Sequence, residues 1–159
     1  MLNLLLLVGL LGFCSAHLCI LSPHQRGTLE NPLSVPSTDC YGLSAPCGGR
    51  NSGTAQETHA RGDTVTVKFQ KNVSHWNRDN PGVFDVNMIQ DDALLKIVAS
   101  TKIPDDNHHT FNYTTTLTVP SDFHGRSAII QVIYKSNSFA ADGKTPLTFY
   151  SCTDIHVSN

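Results

Sequence analysis

From Asp63 to the C-terminus, apolar and polar residues exchange places at every second position, the period of a half-buried strand rather than a helix. "TVTVKF" sets Val65, Val67 and Phe69 on one face and Thr64, Thr66 and Lys68 on the other. The alternation returns in "VFDVNMI" with Phe84, Val86 and Met88. It returns again in "FNYTTTLTVP", with Phe111, Tyr113, Leu117 and Val119 facing a core and Asn112 on the polar face. "SAIIQVIY" is a more continuous apolar run and predicts a central strand, and "LTFYSCTDIHV" predicts the last strand. Turn signals separate these runs at "RGD", "DNPG", "IPDDN", "DFHG" and "ADGK". "QDDALLKIVAS" reads equally as a short helix or as a hairpin with Gln90 to Asp92 at its turn. Strands joined at regular intervals with no periodic helix predict an all-β, antiparallel immunoglobulin-like or fibronectin-like β-sandwich.

Two stretches depart from the alternation. "MLNLLLLVGLLGFCSA", residues 1–16, is an uncharged apolar run that is too short to span a bilayer and ends in small residues, which predicts a secretory signal peptide cleaved between Ala16 and His17. Residues 17–159 then form a single domain large enough for its own core, secreted and extracellular. The segment from Ser22 to Thr58 is rich in Pro, Gly, Ser and Thr and reads as a long N-terminal loop pinned by disulfides. Cys19, Cys40, Cys47 and Cys152 remain after cleavage, an even number in an oxidising context, and permit three pairings. Cys47 with Cys152 and Cys19 with Cys40 is the favoured one, because the first bond ties the early loop to the last strand and closes a long loop. Sequons at Asn72 and Asn112 predict glycosylation in a eukaryotic source. With a formal net charge of -2 and no clustered charge, the chain shows neither a nucleic-acid footprint nor a membrane-binding stripe, and no second apolar stretch predicts a transmembrane segment.

Cleavage after Ala16 would place a histidine first. An N-terminal histidine offers a free α-amine and a ring Nδ1 that chelate one ion together, and a second histidine makes a T-shaped set of three nitrogens. Cu(II) prefers such a planar nitrogen set and stands at the top of the divalent affinity order. A histidine could equally follow a cleavage point by chance, so the rest of the chain has to decide. "HLCILSPHQRG", then "APCGGR", then "GDTVTVKF" resembles the start of the histidine-brace copper proteins, the lytic polysaccharide monooxygenase-like superfamily. "SHWNRDNPGVFDVNM" is similar to the region that presents the second brace histidine before a strand. "YSCTDIHV" looks like the C-x-D-I ending of the copper-acquisition factor branch.

The resemblance implies one copper ion per chain, with His17 as the chelating ligand, His75 as the third nitrogen and Asp154 as a carboxylate ligand; Trp76 would pack beside them. The stretch from Pro104 to His109 departs from the pattern. Asp154 and Cys152 share one strand face while Phe149, Ile155 and Val157 claim the core, which predicts a bulge or an edge position for the last strand. His24, His59, His108, His109, His124 and His156 are rivals for the third nitrogen, and His156, on the face of Asp154, is the first substitute. His108 and His109 would point to opposite faces of a strand and read as a solvated turn. Arg61-Gly62-Asp63 spells an integrin-recognition tripeptide, but its place before a strand favours a structural turn.

Whether the copper reacts turns on its surroundings. A carboxylate from Asp154 would shield the open coordination position that oxygen activation needs and would favour Cu(II) over Cu(I). The superfamily's oxygenases place Tyr or Phe there, and "SCTDIHV" has no aromatic at that point, with Tyr150 four residues earlier. One Trp and four Tyr, with Tyr113 and Tyr134 at core positions, leave few groups for a polysaccharide-docking face. The reading is therefore a monomeric secreted copper(II)-binding protein of copper acquisition or homeostasis, not an enzyme, whose partner class is a cell-surface copper transporter or reductase. The alternatives are a copper-dependent lytic polysaccharide monooxygenase and a metal-free adhesion module.

Overall fold

The computed structural model describes residues 17–31, 33–90, 96–140 and 142–159; the segment expected to be a signal peptide lies outside them. Eight strands follow in order: β1 (His17–Ser22), β2 (Glu57–Ala60), β3 (Thr64–Val73), β4 (Val83–Gln90), β5 (Ile97–Pro104), β6 (Phe111–Thr118), β7 (Ser127–Phe139) and β8 (Pro146–Ser158). They build a three-stranded sheet, β1-β3-β6, facing a five-stranded sheet, β2-β8-β7-β4-β5. All pairings are antiparallel except β2 with β8. This is the β-sandwich that the alternation predicts. No described helix is long and apolar enough to cross a membrane.

The core lies between the sheets. Val65, Val67 and Phe69 are fully buried while Thr64, Thr66 and Lys68 face solvent, so β3 follows the period of two. Opposite them stand Phe84, Val86, Met88, Ile130, Val132, Tyr134, Phe149, Ile155 and Val157. Burying a side chain of this size contributes roughly 1.5–3 kcal/mol, and these strands stay paired chiefly for that reason. Phe111 corrects the predicted pattern: it is 43% exposed. It is the first residue of β6, opposite Lys71 near the end of β3, and its ring meets Tyr113 edge-on instead of entering the core.

The segment "QDDALLKIVAS" is a hairpin limb, with β4 and β5 paired and the Gln90 amide donating to the Lys96 carbonyl at 2.8 Å. Residues 91–95, including most of the expected turn, lie outside the described part.

β4 is buried on both faces, which its alternation does not announce. The cause is the long loop from Ser22 to Thr58, which packs on the outer face of the larger sheet. Gln131 donates to the Pro46 carbonyl, Tyr150 N–H to the Gly42 carbonyl, and Arg26 N–H to the Cys152 carbonyl. Disulfides Cys19–Cys40 and Cys47–Cys152 pin the middle of the loop to β1 and to β8, in the favoured pairing. Gly42 and Gly48 pack so closely on the Tyr150 carbonyl that a Cβ at either would sit 2.5 or 2.6 Å from it. β8 needs neither a bulge nor an edge position around Asp154. It lies between β2 and β7 in unbroken register from His156 to Thr148, with one face in the core and the other under the loop.

Candidate metal centre

His17 opens β1 opposite Val73, the last residue of β3. The chain then leaves β3 through residues 74–82, which carry His75 and Trp76 before β4 begins. Antiparallel pairing thus brings both histidines to one end of the sandwich. That end also holds the β5–β6 and β7–β8 connections.

His17 is only 5% exposed, and its ring meets Tyr41 edge-on at 5.5 Å. The His75 ring stacks on Phe149, centroids 5.8 Å apart and planes 19° apart. The His75 carbonyl accepts a hydrogen bond from Ser138 Oγ at 3.1 Å. Two ring nitrogens are left over: His17 Nδ1 and His75 Nε2 are buried and have no hydrogen-bond partner. Buried polar atoms are normally paired, so an orphan on each of two neighbouring histidines asks for an explanation. Burial lowers the pKa of both imidazoles, and proximity to His75 lowers His17 further. Both rings are then neutral near pH 7, with lone pairs available to a metal.

The donor set fits copper. Two neutral imidazoles are ligands of the type Cu(II) favours, and the unpartnered atoms include the Nδ1 that an N-terminal chelate requires. Among the described residues no group of three or more His, Cys, Asp or Glu gathers to hold an ion. A three-nitrogen site would have to take its third nitrogen from the His17 α-amine.

Asp154 is not part of this arrangement. Its carboxylate accepts from Arg26 Nε at 2.8 Å, Arg26 Nη2 at 2.6 Å and the Gly53 amide at 2.9 Å. It stands five residues along β8 from Phe149, roughly 16 Å at strand rise, and on the opposite face. The ion pair borders a separate polar cavity of about 320 Å³, lined by His24, Gln25, Arg26, Gly53, Gln56 and Asp154. Assigning Asp154 to the metal therefore fails on position. His156 fails for the same reason, being two residues farther along β8.

The other rivals are placed elsewhere or are exposed. His24 Nδ1 contacts the Gln25 carbonyl, His59 pairs with Glu57 at 2.9 Å, and His124 is exposed at the far end. His108 and His109 lie at the near end, exposed in a bend. Their rings approach to 3.8 Å, so the strand rule did not apply to them, although the solvated turn does. Trp76 sits beside this pair, 5.7 Å from His108.

Phe149, a core-face residue by the alternation of the last strand, stacks on His75, a contact that no local sequence pattern announces. Asn72 is a further correction: it is fully buried, its Oδ1 accepts from the Ser37 amide, and its Nδ2 donates to the Ser34 carbonyl and Gln70 Oε1. A glycan on that nitrogen has no room in the fold. Asn112 is exposed, as expected of a carrier of one. Asp63 caps a turn by accepting from the Ala60 amide, the structural role expected within Arg61-Gly62-Asp63.

The family model for the BIM1-like copper acquisition factor matches residues 15–159. The chain belongs to that family. Its membership ties the chain to copper and agrees with the donor set at His17 and His75. Among solved structures it is similar to a lytic polysaccharide monooxygenase AA15 from Thermobia domestica in the Cu(I) state, at 14% identity and a TM-score of 0.45. The match covers 65% of this chain and 63% of that one. No curated protein matches the sequence.

Proposed function

We propose that this family member is a secreted copper(II)-binding protein of copper acquisition or homeostasis, whose mature chain begins at His17. The α-amine and Nδ1 of His17 and Nε2 of His75 bind one copper ion. The observation that supports this reading is the pair of buried, unpartnered nitrogens, His17 Nδ1 and His75 Nε2. They are the two side-chain atoms a histidine brace requires. Two disulfides and the apolar leader agree with export. His17 and His75 supply neutral donors without a carboxylate, and Phe149 screens one face of His75 without offering a donor atom. N-terminal sequencing and metal analysis of the secreted product test the proposal. A first residue of His17 and one copper per chain are expected; a different first residue or no bound copper rejects it.

A second reading, a copper-dependent polysaccharide monooxygenase, gains from Phe149. An aromatic side chain stands beside His75, and the carboxylate expected to shield the copper is committed to Arg26. Incubation with chitin, cellulose, reductant and peroxide separates the two. The carrier reading expects no oxidised oligosaccharides by mass spectrometry, and copper-dependent products would replace it with the oxygenase.

A further inference from the structure

Behind His75 lies a polar cluster with no solvent access. Asp105 and Lys71 are both fully buried and ion-paired, and Lys71 also donates to the Asn107 carbonyl. The Asp105 carboxylate accepts two further hydrogen bonds, from the Tyr113 hydroxyl at 3.0 Å and from the Tyr134 hydroxyl. Tyr134 is thereby anchored through its hydroxyl. Its ring lies between Phe84 and Phe149, and Phe149 stacks on the His75 imidazole. In the backbone, Ser138 Oγ holds the His75 carbonyl. Burial, with Asp105 alongside, raises both phenols well above their ordinary value, so each stays protonated and keeps donating.

We propose that Tyr134, oriented by Asp105 and assisted by Ser138, is a positioning residue that sets the backbone and ring of His75 for metal binding. The inference rests on the brace reading. His75 sits on a nine-residue connection rather than in a sheet, so its own ladder bonds cannot fix it. The Tyr134 hydroxyl anchors its ring to Asp105, that ring backs Phe149 behind the imidazole, and the Ser138 hydroxyl fixes the His75 carbonyl. Groups that orient a metal ligand from outside the coordination sphere typically contribute 10–100-fold to affinity.

The test uses the product secreted from the full-length chain, with Cu(II) competition titration and electron paramagnetic resonance. Tyr134→Phe removes one oxygen and keeps the ring. It should weaken Cu(II) binding roughly 10-fold and alter the copper hyperfine pattern. Ser138→Ala, which removes a partly exposed hydroxyl, should shift both readouts in the same direction and serves if Tyr134→Phe does not fold. Leu117→Ala, a core truncation at the far end of β6, controls for lost stability and should lower the melting temperature while leaving affinity and spectrum unchanged. Wild-type affinity and spectrum in the folded Tyr134 and Ser138 variants would overturn the positioning role. So would a loss in Leu117→Ala equal to theirs, because the effect would then be one of stability. A wild type that binds no copper rejects the brace reading itself.

Discussion

Two buried polar sites in this sandwich differ in what they leave unsatisfied. Around Asp154, both carboxylate oxygens are occupied by Arg26 and Gly53, and Arg50 in turn donates to the Arg26 carbonyl at 2.5 Å. At the other end, His17 and His75 each keep one buried ring nitrogen with nothing to bond. A cluster whose charges are paired asks for no ligand and holds the fold together, here by joining the long loop to β8. An unsaturated one lowers stability unless a ligand completes it. The contrast separates Asp154 from the two histidines with which the resemblance groups it.

The largest effect should come from breaking the saturated site. Asp154→Ala leaves Arg26 as a buried, unpaired charge and should lower unfolding free energy by about 3–5 kcal/mol in urea titration. Cu(II) affinity of the folded variant should not change. A copper spectrum altered by this substitution would return Asp154 to the metal. His75→Ala should do the reverse, weakening Cu(II) binding by more than the roughly 100-fold that outer positioning groups reach. Its stability without metal should stay within about 1 kcal/mol of wild type, because an orphan nitrogen leaves with the ring.

Acid sharpens the same contrast. Burial lowers the pKa values of His17 and His75 in the folded chain below 6.5, so between that value and the folded-state values the unfolded chain binds more protons. Stability contributed by the neutral rings is present above pH 6.5 and is lost as pH falls through this window. Melting temperature without copper should therefore decline below pH 6.5, and less steeply in His75→Ala. Bound copper should be released over the acid range as the donors protonate.

The smallest effect concerns glycans. Asn72 is another saturated buried group, so peptide mapping of the secreted protein should find Asn72 unmodified. Asn112→Gln should abolish any glycan mass without altering stability by more than about 0.5 kcal/mol.

The strands and their inward faces were legible because alternation is a local signal and one face of each strand meets the core. The outer burial of β4 was not, since the loop covering it comes from a segment with no periodicity of its own. Phe111 obeyed the alternation yet lies beyond the core, because a pattern gives the face and not the height along the sheet. The same limit explains Asp154: its face was read correctly, but its height and its partner Arg26, 128 residues earlier, emerge only from the folded topology. His17 and His75 were accessible through resemblance. Phe149 was legible as a core residue and not as the neighbour of His75, which depends on where the β3–β4 connection lands.

The account depends most on the His17 α-amine being free, and one titration addresses that directly. Cu(II) affinity should be measured by competition for the secreted chain beginning at His17 and for the same chain with one alanine placed before it. The added residue turns the amine into an amide and removes one of three nitrogens while leaving both imidazoles in place. The account predicts affinity lower by about 100-fold or more for the extended chain, a difference of at least about 2.7 kcal/mol. Equal affinities would contradict it.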